Sequence, residues 1–197
     1  DHFKAWRLAL KNEGILATHE DIYSREGQRG FQSVQEIFRK YGKDYSLAAA
    51  RTILKKKEDI FNTIDRVSFI QGSRTFIKRL SSAGFKLGLV TGTSRREMEK
   101  ILPHHIYEHF HASVTGCEVK KGKPNPEPYL KAIRKMKLKK DDAVVIENAP
   151  FGIRSAKGAG LRCFALETSL SKKYLKQADA IFSSIKEMQE QVHFRYV

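Results

Sequence analysis

The sequence has only two cysteines, Cys117 and Cys163, and they form no C-x-x-C pair or other ligand-like spacing. A disulfide scaffold and a cysteine zinc site are thereby excluded, and a reduced, cytoplasmic setting is expected. No apolar run approaches the roughly 20 residues that span a bilayer, so no membrane partner is expected. Internal repeats and low-complexity tracts are absent too. Acidic residues are scarce: 22 Asp and Glu stand against 37 Lys and Arg, a formal net charge of +15. The lysines are spread along helix-like segments, such as Lys55 to Lys57 and Lys135 to Lys140, with no stacking aromatics among them. They read as solvated faces that would steer anionic small molecules, and nucleic acid is not expected as a partner.

The 197 residues suffice for one sizeable core plus a small accessory domain. Residues 1 to about 65 show helical patterns only. Phe3, Trp6 and Leu10 share one face, and Thr18-His19-Glu20-Asp21 fits a capping pattern. Phe31, Val34, Ile37 and Phe38 form a further stripe, and Ile53, Ile60 and Ile64 another. From about residue 66 the rhythm changes. Short apolar runs at Leu87–Val90, Ala143–Ile146, Cys163–Leu166 and Ala180–Phe182 alternate with helical stripes at Phe76, Ile77 and Leu80 and at Tyr129, Ile133 and Met136. Strands apolar on both faces and separated by helices imply a parallel sheet covered on both sides, an α/β core. Ligands of such sheets sit at the carboxyl ends of strands.

Three segments follow strands. Thr91-Gly92-Thr93-Ser94 offers hydroxyls and a glycine suited to an oxyanion, or simply a helix cap at Ser94. Lys121-Gly122-Lys123-Pro124-Asn125-Pro126 fixes a lysine in a proline-stiffened loop, with Pro126 fitting the first turn of the next helix. Glu147-Asn148-Ala149-Pro150-Phe151-Gly152 puts two oxygen-bearing side chains where a hard cation could sit, although Asn148 could equally cap the helix. Gly152, Gly158 and Gly160 make no dinucleotide fingerprint. His104, His105, His109 and His111 fit no closed metal pattern and read as a partly exposed loop.

The order of these segments resembles the haloacid dehalogenase superfamily, and within it the β-phosphoglucomutase-like phosphatases and phosphomutases. The resemblance implies a three-layer α/β core with a Rossmann-like sheet over residues 66–197 and an all-helical cap over 1–65. It implies that Thr91, Lys123 and His2 are catalytic, that Gly92, Thr93, Arg95, Arg25 and Arg29 bind substrate, and that Glu147 and Asn148 hold Mg²⁺. The implied activity is Mg²⁺-dependent phosphoryl transfer on a small phosphorylated metabolite. A sugar-phosphate phosphatase working as a monomer through an aspartyl-phosphate is the first reading; a sugar phosphomutase is the second.

One family element has no match. The Asp-x-Asp pair that supplies nucleophile and acid/base normally ends the first core strand, just before the cap. Here Asp1 stands alone where the first cap helix begins. Removing a central strand would cost more than the ~5–15 kcal/mol that holds a domain together. The natural protein is therefore expected to carry about fifteen to twenty further N-terminal residues, the family's usual length for that segment. The remaining alternative is that the chain is a catalytically inactive piece or a binding protein. Asn148 also departs from the family, which often has Asp there, and should weaken the Mg²⁺ site.

Overall fold

The computed structural model describes residues 2–63 and 68–195. Ile64 of the third expected stripe lies outside them. Four helices come first: α1 (His2–Lys11), α2 (His19–Tyr23), α3 (Gly30–Lys40) and α4 (Leu47–Asn62). They close around their own core of Trp6, Leu10, Ile15, Ile22, Val34, Ile37, Phe38 and Ile53. The stripes on α1 and α3 explain this packing, with one correction. Phe31 does not join the core but remains 43% exposed, because the first turn of α3 points it outward.

Thr18 caps α2 as its sequence implied, in a capping box with Asp21. Asp21 is buried and also accepts from Tyr41 at 2.7 Å and from Lys40. Burial opposes ionisation of Asp21, but the Lys40, Thr18 and Tyr41 donors outweigh it and hold the carboxyl below its usual range. Thr18→Ala is therefore expected to cost about 1 kcal/mol, read as a shifted urea midpoint. An unchanged midpoint would mean that Asp21 holds this corner without the threonine.

Five strands follow among the described residues. They are β1 (Gly88–Val90), β2 (Ala112–Val114), β3 (Val144–Glu147), β4 (Arg162–Leu166) and β5 (Ala180–Phe182). The intervening helices are α5 (Ser73–Ser82), α6 (Arg95–Ile101), α7 (His104–Tyr107), α8 (Glu127–Met136), α9 (Pro150–Gly158), α10 (Lys172–Leu175) and α11 (Ile185–Gln191). Every pairing is parallel. Alternate residues of β3 and β4 face opposite ways. Val145, Cys163 and Ala165 pack with Tyr129 and Ile133 of α8 and Ile153 and Ala156 of α9. Ile146, Phe164 and Leu166 pack with Phe76 of α5 and with Ile185 and Met188 of α11. Helices thus cover both faces, as the apolar runs implied.

The strands do not form one sheet. β1 pairs with β2, and β3-β4-β5 form a second sheet. Among the described residues, one edge of β1 and one edge of β3 make no ladder. Helix α8 spans the divide, packing on β1 and β2 and against α9.

Candidate active site

The carboxyl ends of β1 and β3 meet at one lysine. Lys123 is buried in the loop before α8, and its ammonium donates to Val90 O at 3.2 Å and to Glu147 Oε1 at 2.5 Å. The same nitrogen lies 5.0 Å from the centre of the Tyr129 ring. The Lys123–Pro124 bond of its loop is cis. Pro126 is the N-cap of α8 rather than part of its first turn.

Glu147, at the end of β3, is buried and saturated with donors. Oε1 accepts from Lys123 and from Tyr129 Oη at 2.6 Å, and Oε2 accepts from the N–H groups of Asn148 at 3.0 Å and Ala149 at 3.3 Å. Burial alone would raise its pKa, but Lys123, then Tyr129 and the Asn148 amide, reverse the sign and lower it. A Cβ on Gly152 would lie 2.0 Å from this carboxyl group. Glycine there lets α9 pass directly over the site.

Asn148 does not cap α9; Ala149 holds that position with Pro150 after it. The Asn148 side chain is drawn instead to Thr168 Oγ1 at 3.1 Å and to Glu26 Oε2 at 3.3 Å. Glu26 reaches this point from the helical half. Burial and the nearby charge of Glu147 raise it to about 7. No sequence signal marks Glu26, because its role depends on two segments 122 residues apart meeting.

The Thr91 N–H continues the β1–β2 ladder to Val114 O at 2.9 Å, and Thr91 Oγ1 accepts from the N–H of Thr93 at 3.1 Å. Ser94 caps α6 with Glu97. The loop of the helical half between α2 and α3 lies directly on this turn, so a Cβ on Gly92 would meet Gly27 O at 2.6 Å. Gln28 also makes an isolated parallel bridge with Lys123. Arg29 donates to three core carbonyls, Gly116 at 3.1 Å, Val119 at 2.6 Å and Lys120 at 2.7 Å. Lys57 pairs with Glu97 at 3.2 Å.

Between the two halves lies a cleft of about 950 Å³, lined by His2, Arg25, Arg29, Thr91, Gly92 and Thr93 among others. Burial, then the positive charge of Lys57, lowers His2 to about 4. Its Nε2 accepts from Trp6 Nε1 at 3.1 Å, so the neutral ring carries its proton on Nδ1. Arg25 is tied back to Asp21 O at 2.8 Å and to Glu36 at 3.3 Å. Arg95, expected near substrate, does not line this cleft. It is pulled away by Glu118 at 2.6 Å, with Tyr107 and Ser113 at 3.3 and 3.2 Å.

Among the described residues no three His, Cys, Asp or Glu side chains are placed to hold a metal. The histidine loop is accounted for otherwise: His109 bonds Ser81 at 3.1 Å, His111 accepts from Leu87 N–H at 3.3 Å, and His104 is 91% exposed. Cys163 is buried and pushed up to about 12, an inert thiol. No helix among the described residues is long and apolar enough to cross a membrane.

Known proteins match this arrangement. Over 190 residues the chain is 28% identical to a phosphorylated carbohydrates phosphatase of Thermotoga maritima, covering 91% of this chain and 84% of that one. It is 28% identical over 170 residues to the mitochondrial (DL)-glycerol-3-phosphatase 1 of Arabidopsis thaliana, covering 81% of this chain but only 56% of that protein. A candidate β-phosphoglucomutase from Bacteroides vulgatus superposes with a TM-score of 0.86 at 29% identity, over 96% of this chain and 79% of that structure. The haloacid dehalogenase-like hydrolase family matches residues 2–166. With strand ends gathered on Lys123 and Glu147 beneath a helical layer, and with that match, the chain belongs to the haloacid dehalogenase-like hydrolases, in the fold of their β-phosphoglucomutase-like members.

Proposed function

We propose that this protein is a Mg²⁺-dependent phosphatase acting on small phosphate monoesters, with residues 1–65 as its cap and 66–197 as its core. The observation that carries the reading is the single ammonium of Lys123 joining the end of β1 to the buried carboxylate of Glu147. Such a buried cation, with the Thr91 hydroxyl and the Gly92 amide on the neighbouring turn, would stabilise charge on a transferring phosphoryl group.

The oxygen donors fit Mg²⁺ in type. Asn148 Oδ1 would hold it directly and Glu147, whose oxygens already take four donors, through water, with Glu26 as a second carboxylate nearby and substrate phosphate completing the shell. When bound, Mg²⁺ would neutralise phosphate charge. Lys123 would meet the same charge. His2 would present its Nδ1–H to the bound ester, and the cap loop at Gly27 and Gln28 would exclude bulk water.

The covalent part is assigned to an Asp-x-Asp strand seated between the open edges of β1 and β3. The first aspartate would displace the alcohol from phosphorus, and the second would protonate the departing oxygen. Water would then cleave the aspartyl-phosphate to give inorganic phosphate. The test is the open reading frame upstream of Asp1. The protein including that segment should release phosphate with Mg²⁺ and lose activity in EDTA, and it should melt well above residues 1–197 alone. An in-frame stop directly upstream would refute the strand, and full activity of residues 1–197 alone would refute the role given to it. A sugar bisphosphate that converts hydrolysis into isomerisation would replace the phosphatase reading by a mutase.

A further inference from the structure

The cleft is unevenly furnished. Four of its polar cap side chains, Arg25, Gln28, Arg29 and Lys57, already have protein partners. Arg25 is held by Asp21 O and Glu36. Gln28 donates to Glu36 at 2.7 Å and accepts from Ser33 at 3.0 Å. Arg29 is held by three carbonyls, and Lys57 by Glu97. Recognition of a sugar needs donors and acceptors aimed at its hydroxyls, and each one drawn from a protein partner leaves that partner unsatisfied.

The same wall offers apolar surface instead. Phe31, in the first turn of α3, has 43% of its surface exposed and lines the cleft together with Leu54 of α4. Leu54 lies under the adjoining backbone, since a Cβ on Gly30 would be 2.5 Å from Leu54 Cδ2. Gly30 thus lets α3 approach α4 closely and sets Phe31 at the cleft rim. An aromatic face left in solvent inside a ligand-sized cleft is unfavourable by itself and is satisfied by a flat apolar partner.

We propose that the preferred substrates are phosphate monoesters whose alcohol carries a flat apolar ring, seated on Phe31 while the phosphate meets the Thr91 turn and Lys123. The proposal rests on the phosphatase reading and narrows it away from bare polyol phosphates. The reaction is unchanged: the ester oxygen–phosphorus bond breaks, water supplies the new oxygen, and the ring-bearing alcohol leaves with a proton.

Benzyl phosphate, cyclohexylmethyl phosphate and glucose 6-phosphate test it, since all three release an alkyl alcohol. With the protein including its upstream segment, kcat/KM should be highest for benzyl phosphate. Phe31→Ala should lower the benzyl to glucose ratio about tenfold, mainly through KM, and Phe31→Trp should keep it. Calorimetric titration of the same three esters into wild type and Phe31→Ala reads the seat without turnover. Preference for glucose 6-phosphate, or an equal loss for all three esters in Phe31→Ala, overturns the proposal. Absence of turnover on every ester would sink the phosphatase reading, while the titration would still decide on Phe31.

Discussion

Lys123→Met is expected to remove most phosphatase activity and, separately, to reverse how stability depends on pH at this site. The ammonium is the buried positive charge joining the ends of β1 and β3, and losing such a group should lower kcat about 10²–10³-fold. The stability arm uses the same protein as the activity arm, with its upstream segment. Breaking a buried pair leaves Glu147 uncompensated, at about 3–5 kcal/mol. The sign with pH follows from the two states of the carboxyl. In the wild type its folded pKa is depressed, so its contribution is present above the ordinary carboxylate pKa and is lost as pH falls through the folded value. Without Lys123, burial dominates and raises the folded pKa. The charged form then opposes folding, and stability falls as pH rises. Urea midpoints should therefore lie closest in acid and furthest apart near pH 7 to 8. A gap constant over that range would refute the pairing. Adding Glu147→Gln to the variant should recover part of the loss, because the uncompensated charge goes with it.

Gly152→Ala should destabilise the protein although alanine is the better helix former. Within α9 the exchange would ordinarily gain up to about 1 kcal/mol. Here the new methyl would lie 2.0 Å from the Glu147 carboxyl carbon and Oε1, and 2.4 Å from Oε2. A carboxylate held by four donors cannot swing aside without breaking several of them. Overpacking of about 1–3 kcal/mol and the lost hydrogen bonds should outweigh the propensity gain. Gly158→Ala, at the end of the same helix, is the control. Its Cβ would meet Pro126 at an ordinary 3.7 Å, so that variant should be neutral or slightly stabilised. Parallel thermal melts check both. Equal behaviour of the two would show that Glu147 yields easily.

The chain announces its elements through periodicity and its strand ends through residue type. Thr91 and Glu147 stand out because each directly follows a strand-like apolar run, where parallel sheets seat ligands, and Lys123 because prolines flank it. Arg95 misled, since a basic residue opening α6 reads equally as a substrate contact. What decides is Glu118, 23 positions on, with Tyr107 and Ser113 beside it. Phe31 misled through the 3.6-residue period, which places it on the stripe but cannot show that α3 begins at the rim of its core. Glu26, Arg29 and Gln28 act through contacts with residues 87 to 122 positions away, and no local pattern encodes a contact of that range.

The bridge between Gln28 and Lys123 has a consequence for turnover. Main-chain pairing ties the loop above the phosphate turn to the segment that carries the ammonium. In the proposed phosphatase, lifting the helical half would have to break this pairing, so the cleft and the lysine's anchor would loosen together.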